Sequence, residues 1–299
     1  MELRQLTYFV EVARLKNYTR AAERLKIAQP ALSQQISNLE KELGVKLFKR
    51  TGRGVTLTEQ GEQFYIGAEK TLAEAQRAKD SVKEFINYPQ GKIIVGALES
   101  LVQTRLPDLL VAFGKEHPGI KVFLRENTTE PMLEDLQKGE LDVALGHSLD
   151  VQYSPNLVRL AAQTGICSKA LYQDELVLVV ANGHPLEKRK TISIGELREE
   201  SFVFFKEGSG IRSQLIAECI SRGFEPLIAY ECASPRTLVA KGLGISILPR
   251  LMAESQGPTV SIIPLDPPLS RWVSVFYLEG RYLSPCTELF LRFVEEHLN

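Results

Sequence analysis

The sequence predicts an α/β chain in three parts: a small helical domain carrying a β-hairpin, one long helix, and a larger region of two α/β lobes. Three observations carry this. Apolar residues recur at three- and four-residue intervals up to Leu43, residues 59–87 contain no proline, and from Lys92 onward strand-like runs alternate with helix-period segments in a pattern that occurs twice.

In the first part, Leu3, Leu6, Phe9, Val10, Val12 and Ala13 form the stripe of a helix over 3–15. The segment YTRAAERLKIAQPALSQQISNLEKELG (18–44) then reads as two helices and a tight turn. Ala21, Ala22 and Leu25 mark the buried face of the first, and Leu32, Ile36, Leu39 and Leu43 that of the second. Gln29-Pro30 opens the second helix, because proline suits a first turn whose N–H groups have no intrahelical partner. Gln29, Ala31, Ser33, Gln34 and Ser37 then lie off the apolar stripe. Glutamine pairs bidentately with adenine, serine bonds either partner and alanine packs on a thymine methyl, so this face suits a DNA groove. A Gln/Ser face on an isolated helix is more often simply solvated; its neighbours change the odds.

After Gly44, VKLFKRTGRGVTLTEQG holds two β-like stretches, Lys46–Lys49 and Gly54–Leu57, around a glycine turn. Lys49, Arg50 and Arg53 on this wing provide cations for the phosphate backbone, which gives affinity without reading sequence. Residues 1–60 contain eleven Lys and Arg against six Glu, about +5, whereas the whole chain is −1. The positive charge is therefore concentrated where nucleic acid would bind.

Residues 59–87 place Phe64, Ala68, Leu72, Ala75, Ala78, Val82 and Phe85 on one stripe of a single helix, ended by Tyr88-Pro89-Gln90-Gly91. At 1.5 Å per residue it spans roughly 43 Å, too long for a sixty-residue domain to cover. The stripe is expected to pack against the same helix of a second chain, with Phe64, Leu72, Ala75 and Val82 as dimerisation residues; an intramolecular core helix is the alternative.

From Lys92 the order is KIIVGAL, RLPDLLVAFGKEH, KVFLREN, a helix around MLEDLQKG, and LDVALGH. ELVLVVANGHPL, SFVFFKEG, the helix IRSQLIAECISRGF, LIAYECA, PRTLVAKGLG and GISILP repeat the theme. This alternation predicts parallel sheet in two similar lobes, with the cleft between them as a ligand site. Open α/β sheets bind ligands at the carboxyl ends of strands, beside helix N-termini. Glu99-Ser100, Asn127-Thr128-Thr129 and Phe205–Ile211, including Ser209, occupy such positions. Ordinary capping by serine and threonine is the alternative explanation.

The opening LRQLTYFVEVARLKNYTRAAERL, the segment AQPALSQQISNLEKELGVKLFKR and the closing GRGVTLTEQGEQF resemble the LysR-type transcriptional regulators over some sixty residues. The resemblance implies a winged helix-turn-helix DNA-binding domain over 1–58 and a linker and dimerisation helix over 59–88. It further implies a two-lobed effector-binding domain of periplasmic-binding-protein type over 89–299, with lobe I about 89–170 plus 268–299 and lobe II about 171–267. The partners implied are double-stranded DNA with a dyad-symmetric operator, a small-molecule effector, a second copy in a homodimer or homotetramer, and RNA polymerase. Activation is the more usual sign of regulation in the family. Family positions matching Ser100 and Thr128 commonly bond a small, often carboxylate-bearing effector; Glu99, Thr129, Phe205 and Ser209 complete the expected set. The chain departs from the pattern at Glu99, where a neutral hydroxyl residue is frequent. It also has about ten additional residues near AAQTGICSK, and a stretch between Glu231 and Leu238 about one helical turn shorter.

Other classes fit less well. The four histidines, His117, His147, His184 and His297, never fall at metal-ligand spacing, and no GxSxG, P-loop or HExxH occurs. No catalytic residue, metal or cofactor is expected. Cys167, Cys219, Cys232 and Cys286 lie far apart and read as free thiols of a reducing compartment. Glu2 and Arg4 interrupt the amino terminus and no apolar run of membrane length follows, so a cytoplasmic protein without membrane contact is expected. A solute-binding protein without a gene-regulatory role remains the alternative for the second part; the basic first domain argues against it.

Overall fold

The computed structural model describes residues 1–51, 54–86, 90–148 and 155–298. The chain divides into two compact units, one built on Met1–Ile86 and the other on the residues that follow, the turn Lys138–Glu140 grouping with the first.

The first unit contains α1 (Leu3–Leu15), α2 (Tyr18–Leu25), α3 (Gln29–Leu43), the hairpin β1 (Phe48–Thr51) with β2 (Gly54–Leu57), and α4 (Glu59–Ile86). Short polar devices separate the helices. Asn17 Oδ1 accepts the Arg20 amide at 3.1 Å to start α2, and Lys16, Lys26 and Gly44 end α1, α2 and α3 in the left-handed conformation. The core gathers Phe9, Val12, Leu32, Ile36 and Leu39, with Phe9 meeting Phe48 and Phe64 at ring-centroid distances of 5.2 and 5.1 Å.

Strand β1 begins two residues later than the sequence suggests. Glu40, buried on α3, takes the Leu47 amide at 2.9 Å and the Phe48 amide at 3.3 Å on Oε1, and the Lys46 ammonium at 2.7 Å on Oε2. With those groups committed to Glu40, pairing with β2 runs from Phe48↔Leu57 to Thr51↔Gly54.

Helix α4 also differs from expectation in its first half. Ala68 is buried, and Phe64 and Leu72 are half-buried, in the core of their own chain. These two residues thus divide their surface between their own core and the outside. Ala75 is half-buried and Ala78 exposed.

The second unit follows the order β3 (Gly91–Ala97), α5 (Glu99–Val102), α6 (Leu106–Glu116), β4 (Ile120–Glu126), α7 (Thr129–Lys138), β5 (Val143–His147), α8 (Pro155–Thr164) and β6 (Ile166–Val180). It continues through β7 (Ser201–Phe205), α9 (Gly210–Ser221), β8 (Leu227–Cys232), α10 (Pro235–Ala240), β9 (Ser246–Pro249), α11 (Arg250–Glu254), β10 (Ser261–Leu278) and α12 (Pro285–Leu298). Helix α8 and the first part of β6 occupy the additional residues near AAQTGICSK.

One six-stranded sheet has the order β4-β3-β5-β10-β6-β9, and β7 pairs with β8 in a second. The expected parallel pairing holds for β3 with β4, β3 with β5, and β7 with β8. Elsewhere the sheet is antiparallel: β10 enters between β5 and β6 in the reverse direction, and β9 runs against β6 at the edge. Pairing of β10 with β6 breaks between Pro264 and Leu269, where Pro267 and Pro268 have no N–H to donate.

Three buried clusters fill the unit, and two of them mark its lobes. Ile93, Val95, Phe113, Val143, Phe290 and Val294 anchor one; Leu176–Val180, Phe202–Phe204 and Ile245–Leu248 anchor the other. The long strands pass from one core to the other between Leu171 and Leu176 on β6, and between Leu265 and Val273 on β10.

Candidate functional site

In the first unit, burying Leu32, Ile36 and Leu39 fixes the rotation of α3 and turns Gln29, Ala31 and Gln34 outward as exposed residues. Ser33 and Ser37 flank them half-exposed. Gln29 donates to Ser33 Oγ at 2.8 Å and Gln34 to Asn38 Oδ1 at 2.9 Å, one helical turn on in each case. These contacts keep the amides extended along the helix surface. Asn38 belongs to the same row, which its position one turn after Gln34 could have revealed.

Lys49 is exposed on β1, and Arg50 sits opposite Val55 in the hairpin; Arg53 lies outside the described residues. The hairpin is held to the helices at Gly54, whose following amide, that of Val55, donates to the Lys16 carbonyl at 3.1 Å. Gly54 has φ +146°, and a Cβ there would stand 2.4 Å from the Lys16 oxygen. Glycine is the residue this approach admits.

In the second unit, β3, β4 and β7 end at one rim. The helices that follow start with Glu99-Ser100, with Thr129 just after Thr128, and with Gly210 just after Ser209. Glu99, Ser100, Thr128, Phe205 and Ser209 line one cavity of about 280 Å³. Thr129, buried, lines a neighbouring cavity of about 380 Å³ instead. His147 borders both.

Polar groups around the first cavity are oriented. Gln103 donates to Glu99 Oε1 at 2.9 Å, and Asn127 Oδ1 accepts the Thr128 amide at 2.9 Å. Ser209 makes no capping bond to α9, so capping does not account for it. Arg212 donates to the Phe205 carbonyl at 3.1 Å and pairs with Glu231 at 2.6 Å, fixing the end of β7. Gly208 at φ +83° lets this loop approach Thr128, whose Oγ1 would be 3.7 Å from an added Cβ. Lys206 on the lining places a cation in the cavity that carries the Glu99 carboxylate. Both reach Cys232: burial raises that thiol, Glu99 raises it further, and the Ser234 amide and Lys206 oppose.

Sequence reasoning passed over His147 and Arg271. His147 ends the fully buried β5, and Arg271 stands opposite Asp174 on β6. A polar residue closing an all-apolar strand at the ligand rim was a usable signal for His147. Arg271 had none, since β10 reaches this rim only through its antiparallel insertion. Among the described residues, no cluster of His, Cys, Asp or Glu suits a metal ion, and no helix is long and apolar enough to cross a membrane.

Two family models account for this pairing of units. "Bacterial regulatory helix-turn-helix protein, lysR family" matches residues 3–62, and "LysR substrate binding domain" matches residues 87–299. The chain belongs to the LysR family of transcriptional regulators. It is 33% identical to the transcriptional dual regulator GltC of Bacillus subtilis (strain 168) over 98% of this chain and 96% of that one. An HTH-type regulator of Cupriavidus necator, CfxR, is 32% identical over 99% and 92%. Full-length CbnR solved with its target DNA is similar at a TM-score of 0.69 and 26% identity, covering 99% of this chain and 100% of that one. As a LysR-family regulator, the protein binds DNA with its first unit and an effector with its second.

Proposed function

We propose that the exposed row of α3 reads the operator, with Gln29, Ala31, Ser33, Gln34 and Ser37 at base edges and Lys49, Arg50 and Arg53 on phosphates. What supports this is the rotation of α3: the same packing that buries Leu32, Ile36 and Leu39 leaves that row outermost. The effector occupies the first cavity, held by Glu99, Ser100, Thr128, Phe205 and Ser209, with Thr129 at its boundary with the second. The protein acts in the cytoplasm as an activator that contacts RNA polymerase, binding its effector without chemically changing it. Domain limits at 58/59 and 88/89 follow the same reading, with two or four copies joined through the distal part of α4, where Ala75 and Val82 lie.

Switching requires differential affinity. A ligand that closes the cleft shifts the assembly only as far as it prefers one arrangement of the units over the other. Paired DNA-binding units impose their symmetry on the half-sites, so the operator is a dyad.

Selection of random duplexes by the full-length protein tests the reading. The expected result is an inverted repeat recovered above background, with Gln34→Ala relaxing one position in each half-site. Recovery of unrelated sequences at equal frequency would contradict it and favour a solute-binding protein with a basic extension.

A further inference from the structure

The second cavity has a chemical character of its own. His147 is 8% exposed, and among the described residues neither ring nitrogen completes a well-formed hydrogen bond, the Trp272 backbone approaching without closing one. Nε and Nη2 of Arg271 are sealed from solvent and likewise unpartnered. Both residues line this cavity, together with the uncharged donors Ser213, Gln214 and Asn156. Among the described residues, Glu130 is its one acidic lining residue, and it is exposed.

Arg271 as a whole is half-exposed, but two guanidinium nitrogens buried without partners are costly, and native structures keep such groups only where something repays them. Asp174, opposite Arg271 in the sheet, does not suffice: it makes no ion pair with Arg271 and is also under the influence of Arg105. Burial lowers the Arg271 guanidinium to about 9, with Asp174 and Tyr172 opposing the shift, so the group remains a cation at neutral pH. A planar cation with two unused N–H groups fits an oxyanion of carboxylate or phosphoryl type.

We propose that the second cavity is an anion subsite in which Arg271 binds a carboxylate or phosphoryl group of the effector, with His147 as a neighbouring hydrogen-bond partner. This rests on the reading that the cleft holds the effector, and adds that the effector is long enough to span two cavities and carries its negative charge at the Arg271 end. The two cavities meet at His147 and Gly210, which belong to both linings.

Titration calorimetry of the full-length protein with inorganic phosphate and with glutarate tests this. The expected result is saturable binding of at least one probe, weakened at least tenfold by Arg271→Gln and partly kept by Arg271→Lys. Phosphate alone would identify a phosphoryl group, glutarate alone a carboxylate. Free Arg271→Gln is expected to melt no lower than the parent, because it loses an unpartnered charge. Binding of neither probe, or equal binding by parent and Arg271→Gln, overturns the subsite. Ser100→Tyr, which fills the first cavity, separates the two readings. Probe binding that survives Ser100→Tyr but not Arg271→Gln places the anion in the second cavity and upholds the subsite; probe binding lost in Ser100→Tyr but kept in Arg271→Gln places it in the first cavity and overturns the subsite.

Discussion

The Glu40 carboxylate, buried on α3, accepts the Leu47 amide at 2.9 Å. Through this bond, and its partners at Phe48 and Lys46, the recognition helix fixes where the wing begins. The helix proposed to read bases and the hairpin proposed to bind phosphates are thereby tied together within the first unit.

Glu40→Ala is expected to release that link. Leaving the Leu47 and Phe48 amides unpaired costs about 2 kcal/mol, equivalent to roughly thirtyfold in an opening equilibrium. Hydrogen exchange at these two amides should accelerate to that degree, while the core amides of the second unit keep their rates.

Gln34 and Lys49 are expected to fail differently. Gln34→Ala should cost about 1–3 kcal/mol on the cognate half-site and little on DNA already altered at the base it reads. Lys49→Ala should weaken binding to all sequences and reduce the slope of log affinity against log salt by about 1. Fluorescence anisotropy over a salt series with both duplexes distinguishes the two.

Two glycines are expected to give opposite signs. At Gly54, with φ +146° and the Lys16 oxygen 2.4 Å from where a methyl carbon would stand, alanine should destabilise the first unit by more than about 1 kcal/mol. At Gly67, inside α4 with nothing within 4 Å of the added carbon, alanine should stabilise it by about 0.5–1 kcal/mol. Urea unfolding of each variant beside the parent gives both signs.

His147 sets an acid limit on stability. Burial holds its pKa well below the ordinary value of 6.5; Arg271 lowers it further and the Trp272 backbone opposes. Below pH 6.5 the unfolded chain takes up a proton that the folded chain refuses, so this residue makes stability fall as pH drops toward the depressed folded value. Above 6.5 both states are neutral and the contribution is flat. His147→Gln should shallow the loss of melting temperature between pH 6.5 and about 5, measured by calorimetry at matched ionic strength.

Much of this was legible in order along the chain. The stripes Leu32, Ile36, Leu39 and Ala21, Ala22 are local, so helix rotation and the outward Gln34 row follow from spacing alone. Ser100, Thr128 and Ser209 were legible for the same reason, each standing just past an apolar strand. Long-range contacts left no such trace. Glu40 reads as an exposed charge until the wing folds over it. The stripe alone does not show that Phe64 also meets Phe9 of its own chain at 5.1 Å. Arg271 reaches the cleft by an antiparallel crossover in a strand containing three prolines, Pro264, Pro267 and Pro268, which argue locally against any strand at all.

Occupation of the cleft in the second unit is proposed to change how the first holds DNA. The most direct measurement is a footprint of the full-length protein on its selected operator, with and without a small-molecule panel, for the parent and for Ser100→Tyr. At least one compound is expected to shift or shorten the parent's footprint and to leave that of Ser100→Tyr unchanged. A compound that binds the protein saturably yet leaves the parent's footprint intact, or alters both footprints alike, would contradict it.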